Sequence, residues 1–140
     1  MNDLQHARAT LERGGYTCVL CRDDETLTDS RRGVKPLLEL LESGKDYTGF
    51  SAADKVVGKA AAHLYCLLGI RAIYAGVISE PAKRVLESEG IQTEYAVIVP
   101  AIRNRTNTGL CPMESAVWEL RSHTDAHRAI TDTLNKLQNP

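Results

Sequence analysis

A polar loop that runs into a helix carries the residues best suited to chemistry in this sequence. Cys111 falls at the predicted N-cap, Pro112 at the first helical position and Glu114 in the first turn. The free N–H groups and the dipole of a helix N-terminus stabilise a thiolate, so Cys111 is a candidate nucleophile. Asp54 or Glu114 would then move protons. The alternatives are a metal ligand, a simple helix cap or an inert thiol, because free cysteine often packs as a small apolar residue.

The loop before Cys111 is rich in groups that grip an oxyanion or the edge of a nucleobase. It combines amide, guanidinium and hydroxyl side chains with a glycine that permits close backbone approach. These candidate ligand-binding residues are Asn104, Arg105, Thr106, Thr108 and Gly109. Asn, Thr and Gly also form ordinary turns, which is the competing interpretation. Their density directly before a helix N-terminus favours binding, since such termini suit anions.

Two further helix starts supply candidate site residues. Ser51 and Asp54 have the spacing of a capping box, which predicts a helix that begins at Ser51 and runs through Leu68. There Asp54 is a candidate proton carrier and Lys55 a candidate anion-binding group. A capping carboxylate and a solvated lysine give the same pattern. Ser79, at the start of the next helix, is a candidate ligand-binding residue or a simple cap.

The apolar pattern predicts helices and strands that alternate within one domain, residues 1–140. The predicted helices are 3–13, 36–44, 51–68, 79–90, one from Cys111 and a last one around 126–137; the predicted strands are 16–21, 26–29, 70–78 and 93–99. The last two strands read as buried on both faces. Together they predict an α/β fold: a mixed sheet with an antiparallel first hairpin, parallel later strands and helices on both faces. Because ligands bind at the carboxyl ends of parallel strands, the segments after Ile78 and Val99 should share one edge.

Net charge, apolar runs and cysteine content limit which partners and which cellular compartment are expected. The net charge of −1 argues against a basic nucleic-acid surface, so no nucleic acid is expected. No apolar run approaches the roughly 20 residues that span a bilayer, and no secretory signal is evident at the N-terminus. Four cysteines without such a signal are expected to stay reduced in the cytoplasm.

Several histidines have helical spacing but are left out of the predicted site. Lys59 and His63 follow Lys55 at steps of four. His123 and His127 have a spacing that suits a metal ion, yet no third ligand lies nearby in sequence. Solvent-facing histidines are therefore the favoured interpretation of His123 and His127.

Three segments carry a family resemblance: residues 53–62, 74–77 and 104–114. They are similar to a small uncharacterised prokaryotic family of the cytidine-deaminase-like superfamily, and the resemblance covers nearly the whole chain. It implies a three-layer α/β/α cytidine-deaminase-like fold. Active zinc deaminases of that superfamily carry His-x-Glu and Pro-Cys-x-x-Cys at two helix starts. Here the predicted starts at residues 51–55 and 79–82 lack the usual thiolate and imidazole ligands, so zinc is not expected. No other cofactor is predicted.

Two functions of different classes follow. The first is a module that binds a small molecule, nucleotide-like or otherwise anionic, on a deaminase-like scaffold without zinc. The alternative is a zinc-independent enzyme that uses Cys111 as nucleophile, with Asp54 or Glu114 as acid and base. Related folds often assemble, so the resemblance also implies a homo-oligomer.

Overall fold

A mixed five-stranded sheet forms the centre of the computed structural model, which describes residues 1–139. Its strands are β1 (Cys18–Arg22), β2 (Glu25–Asp29), β3 (Ser51–Val57), β4 (Ala72–Ser79) and β5 (Gln92–Val99). Their spatial order is β2-β1-β3-β4-β5. β1 pairs antiparallel with β2 and β3, whereas β3, β4 and β5 run parallel. The predicted antiparallel hairpin and parallel later strands are confirmed.

Helices pack on both faces of this sheet. They are α1 (Asp3–Arg13), α2 (Lys35–Glu42), α3 (Lys59–Leu68), α4 (Glu80–Ser88), α5 (Pro112–Val117) and α6 (His123–Gln138). Leu4, Ala7 and Leu11 of α1 pack against one face. The apolar residues of the other five helices form a larger core cluster with the opposite face. The two clusters place α1 on one side and the remaining helices on the other.

The predicted helix from Ser51 to Leu68 is wrong in its first third. Ser51–Val57 is strand β3, which lies between β1 and β4, and α3 begins only at Lys59. Gly58 is the N-cap in an extended conformation, and Ser51 caps no helix there. The small Ala52 and Ala53 side chains are fully buried on opposite faces of the central strand. Pairing with two neighbours outweighed the helix propensity of an alanine-rich segment.

The second correction concerns the strand predicted at residues 93–99. Its position is right, but β5 is the edge of the sheet and is not buried. Tyr95, Val97 and Ile98 are 37%, 51% and 40% exposed. An apolar run shows that a strand is able to be buried, but its actual burial depends on which elements pack against it. The cluster around α1 contains residues of β1, β3 and β4 and none of β5.

Gly76 is required where β4 approaches β3. A Cβ at this position would lie 2.8 Å from the Lys55 backbone oxygen. Gly76→Ala must therefore displace a strand backbone, and we expect it to lower the free energy of unfolding by about 1–3 kcal/mol. Gly15→Ala is the matched control, because a Cβ there meets open space. Urea denaturation of both variants measures the difference, and equal effects would contradict this interpretation.

Candidate functional site

The carboxyl ends of the three parallel strands form one edge of the sheet. Val57 is aligned with Ile78, and Ser79 with Val99. The starts of α3 and α4 and the loop after β5 therefore lie along this edge, and the sequence predicted this for the segments after Ile78 and Val99. Ser79 is fully buried, and its hydroxyl accepts a hydrogen bond from the Ala82 N–H at 3.2 Å. That geometry is a helix cap, the simpler of the two interpretations of Ser79.

Glu114 occupies the N-terminus of α3 from a different helix. Its side chain accepts hydrogen bonds from the Lys59 N–H at 2.7 Å and the Ala60 N–H at 2.9 Å, and it is only 2% exposed. Burial raises the pKa of Glu114, and the two N–H groups act in the opposite direction. A Cβ on Gly58 would collide with Glu114 Oε1, so glycine makes room for this contact. Glu114 thus ties α5 to α3, and its predicted proton-carrying role stays a prediction.

The loop before α5 is a turn whose polar side chains bond to one another. Asn104 Oδ1 accepts from the Thr108 N–H at 3.0 Å and from the Thr106 hydroxyl at 3.3 Å. The Asn104 amide donates to the Thr108 hydroxyl at 3.1 Å, and the Asn104 N–H donates to the Gly109 carbonyl. This network matches the turn interpretation. Arg105 is exposed beside it.

Cys111 and Pro112 occupy the predicted N-cap and first position of α5. The Cys111 thiol makes no capping hydrogen bond, and the side chain is half-buried. The Cys111 N–H donates to the Ile102 carbonyl at 3.1 Å, which closes the loop. The helix start was thus predicted correctly, while the nucleophilic role of the thiol stays a prediction.

Asp54 lies in the middle of β3, beneath α3, and not at a helix start. It is aligned with Cys18 on one side and Ala75 on the other. Its Oδ2 accepts from the Tyr65 hydroxyl at 2.7 Å, and Tyr65 Oη is 3.1 Å from Cys18 Sγ. Burial raises the pKa of Asp54 to about 6. Lys55, the next residue along the strand, is exposed, so the predicted helix start with both residues is wrong.

A cavity of about 300 Å³ lies between α3, α4 and the segment that joins α5 to α6. Lys59, Arg84 and Arg121 line it. Burial lowers the pKa of Lys59, whose ammonium donates to the Trp118 carbonyl at 2.8 Å. Within residues 1–139, neither Arg84 nor Arg121 forms a salt bridge. Two guanidinium groups therefore remain available to an anion.

Two histidines and a glutamate line the other part of this cavity. Nδ1 of His63 lies 2.7 Å from Nδ1 of His123, and Nε2 of His123 lies 2.8 Å from Glu89 Oε1. His63 is 1% exposed, and burial, followed by the proximity of His123 and Lys59, lowers its pKa to about 4. His63 is therefore neutral near pH 7.

Sequence reasoning missed most of this cavity. Lys59 and His63 were noted for their helical spacing, but they were assigned to a helix with the wrong start. His123 was assigned to solvent, and Arg84, Glu89 and Arg121 carried no signal of their own. What joins them is the packing of α3 between α4 and α6, which no local pattern encodes.

A second, smaller cavity of about 130 Å³ lies between the hairpin and α2. Cys18, Leu20 and Leu27 give it an apolar lining. Its charged residues pair with one another: Arg31 lies 2.8 Å from Asp29 and 2.5 Å from Glu39. The first cavity, with unpaired cations and more than twice the volume, is the better candidate for a polar ligand.

Two classes of feature are absent from the described residues. No helix there is both long and apolar enough to cross a membrane. No group of three or more His, Cys, Asp or Glu side chains in residues 1–139 is placed to hold a metal ion.

Comparison with known proteins gives a family and a structural relative. Residues 6–134 match the model of the TM1506 family, described as a domain of unknown function (DUF1893). The crystal structure of a DUF1893 family protein (TM1506) from Thermotoga maritima has a TM-score of 0.82 and 26% identity, over 96% of this chain and 90% of that one. No curated protein matches. Neither description names an activity, a fold superfamily or a zinc motif.

Proposed function

The chain belongs to the DUF1893 family, a domain of unknown function, and we propose that it binds a small anionic molecule in the cavity beside α3. The observation that carries this proposal is the convergence of Lys59, Arg84 and Arg121 on one space of about 300 Å³. Lys59 is partly buried, whereas Arg84 and Arg121 are exposed at the mouth of the cavity. Cations placed side by side repel one another, and an anion among them relieves that repulsion. Guanidinium groups without salt bridges are well suited to bind a phosphate or carboxylate through two parallel hydrogen bonds.

The size of the cavity limits the ligand class. A volume of about 300 Å³ is at the lower end of pockets that hold small molecules. It suits a phosphate ester, a small carboxylate or a nucleotide-like molecule of mononucleotide size. Pro81 belongs to the first turn of α4, so the positive end of that helix dipole also lies near this region. The N-terminus of α3 is already occupied by the Glu114 carboxylate.

We further propose that the scaffold is the cytidine-deaminase-like fold without its zinc chemistry. The mixed sheet and the alternation of helices and strands support this proposal. With α3 beginning at Lys59, the first residues of α3 and α4 still include no His or Cys to supply zinc ligands. A binding function is consistent with such a scaffold.

The enzymatic alternative, with Cys111 as nucleophile, is the weaker candidate. Its two proposed proton carriers are engaged elsewhere: Asp54 binds the Tyr65 hydroxyl, and Glu114 binds the backbone of α3. No contact joins Cys111 to either carboxylate among the hydrogen bonds of the described residues. The alternative is tested by the reactivity of the Cys111 thiol.

Arg84→Ala and Arg121→Ala test the binding proposal. Each removes charge-assisted hydrogen bonds to the anion, so we expect either variant to weaken affinity roughly tenfold or more. Isothermal titration with sulfate, inorganic phosphate and AMP measures this effect. Arg71→Ala is the matched control. Arg71 is exposed and directly precedes β4, so it lies at the amino ends of the parallel strands, away from the cavity at their carboxyl ends. Failure to bind any of these anions, or an equal loss in Arg71→Ala, would overturn the proposal.

A further inference from the structure

The hydrogen bonds around His123 determine where the protons of the histidine pair lie. A carboxylate only accepts hydrogen bonds, so the hydrogen between Glu89 and His123 belongs to His123 Nε2. The two Nδ1 atoms are 2.7 Å apart, so one of them carries a hydrogen and the other accepts it. Burial lowers the pKa of His63 and keeps its ring neutral near pH 7, and with a neutral His63 two arrangements satisfy both contacts, which differ by one proton.

In the neutral arrangement, His63 donates from Nδ1 to His123. His63 Nε2 is then a bare lone pair in a buried position, and it has no hydrogen-bond partner within residues 1–139. The neutral pair therefore leaves His63 Nε2 as a buried acceptor without a donor among these residues, and the hydrogen bond from His123 to Glu89 joins a neutral ring to the carboxylate.

In the charged arrangement, His123 donates from both ring nitrogens, to Glu89 and to His63. His63 then carries its hydrogen on Nε2 and remains neutral itself. The contact between His123 and Glu89 becomes a charge-assisted hydrogen bond, which is stronger than a neutral one. The Glu89 carboxylate therefore favours the pair with one added proton.

The surrounding charges oppose that proton when the cavity is empty. Lys59 on α3, Arg84 on α4 and Arg121 before α6 are cationic, and Glu89 on α4 is the acidic side chain in the lining. An anion bound among the three cations would cancel much of their field. Protonation of the pair and binding of the anion should therefore favour each other, by equal free energies in both directions.

We infer that the cavity takes up one solvent proton on the His63–His123 pair together with its anion, and so selects dianionic over monoanionic oxyanions. This inference rests on the proposed anion-binding function. The ligand class it names is a molecule that bears a dianionic oxyanion, such as a phosphate monoester. Glu89 and His63 occupy both ring nitrogens of His123, so His123 offers the anion its charge and no hydrogen bond. In this sense His123 is a positioning residue.

Isothermal titration with sulfate tests the proton uptake, because sulfate does not titrate near neutral pH. At about pH 7, in two buffers of different ionisation enthalpy, we expect uptake approaching one proton per sulfate bound. Methyl sulfate, a monoanion of similar shape, should bind about tenfold more weakly. His123→Asn should abolish the uptake, whereas His127→Asn, one turn further along α6, should retain it. Sulfate binding without proton uptake would overturn this inference and leave the proposed function standing.

A second measurement needs no ligand. ¹⁵N NMR of the histidine rings in the free protein should show His63 changing from the Nδ1–H to the Nε2–H tautomer as the pH falls from about 8 to 5. Glu89→Gln should move that change to lower pH, because it removes the charge that favours the proton. A single His63 tautomer across this range would overturn the inference. A tautomer change in a protein that binds no sulfate would instead contradict the proposed function, and with it the coupling of the proton to an anion.

Discussion

Glu114→Ala should lower the free energy of unfolding by about 3 kcal/mol, because it leaves two buried N–H groups of α3 without an acceptor. Lys59 N–H and Ala60 N–H donate to this carboxylate at 2.7 and 2.9 Å. Solvent cannot replace it readily, since Glu114 is 2% exposed. The same substitution also removes the link that holds α5 on α3. Urea denaturation at neutral pH measures the change.

Glu119→Ala is the control for this prediction. Glu119 is exposed, just beyond the C-terminal end of α5, so its loss should change stability by no more than about 0.5 kcal/mol. Gly58→Ala provides a second check, because its Cβ collides with the Glu114 carboxylate. The cost of Gly58→Ala should fall in the Glu114→Ala background. Additive effects, or equal effects of the two glutamate variants, would contradict the assigned contact.

Asp54→Asn should stabilise the protein above about pH 6 by up to about 3 kcal/mol. Burial raises the folded-state pKa of Asp54 from 3.8 to about 6, so folding favours its protonated form. The stability that the wild-type protein gains from this raised pKa is fully present below about pH 4 and is lost as the pH rises through about 6. Asparagine is neutral at every pH. Its amide can donate to Tyr65 Oη while its oxygen accepts from the Val56 N–H, so both present contacts are kept.

The measurement is the free energy of unfolding from about pH 4 to 8 for wild type and Asp54→Asn. The two curves should converge at the acidic end and separate as the pH rises. Asp132→Asn, an exposed position on α6, should follow the wild type throughout. Parallel curves for wild type and Asp54→Asn would show that the carboxyl is not perturbed. Retained anion binding in Asp54→Asn would confirm that Asp54 lies outside the binding site.

Local signals in the sequence were enough to predict most of the fold. Ser79 and Pro112 mark helix starts through chemistry that acts within one turn, and both were located correctly. Gly58 is also a boundary, but the alanines before it favour a helix, and only sheet neighbours make Ser51–Val57 a strand. The exposure of β5 follows from what lies beside it, which the strand's own residues do not specify.

The candidate site was harder to predict because long-range contacts assemble it. Glu114 was singled out for its place in a first turn. Its partners, however, are the N–H groups of Lys59 and Ala60, which precede it by 55 and 54 positions in the sequence. His123 meets His63 across 60 residues and Glu89 across 34. Spacing along one helix cannot reveal such pairs. The dense polar loop, in contrast, gave a strong local signal, and its side chains mostly satisfy one another.

Amide NMR shifts on titration with inorganic phosphate test the central claim most directly, because they locate the bound anion. Binding in the cavity predicts the largest changes at Lys59–His63 of α3, Arg84–Glu89 of α4 and Arg121–His123 before α6. Changes confined to residues 104–111 would place the anion at the polar loop, and an unchanged spectrum would show that no phosphate binds. Either result would contradict the cavity as the anion-binding site.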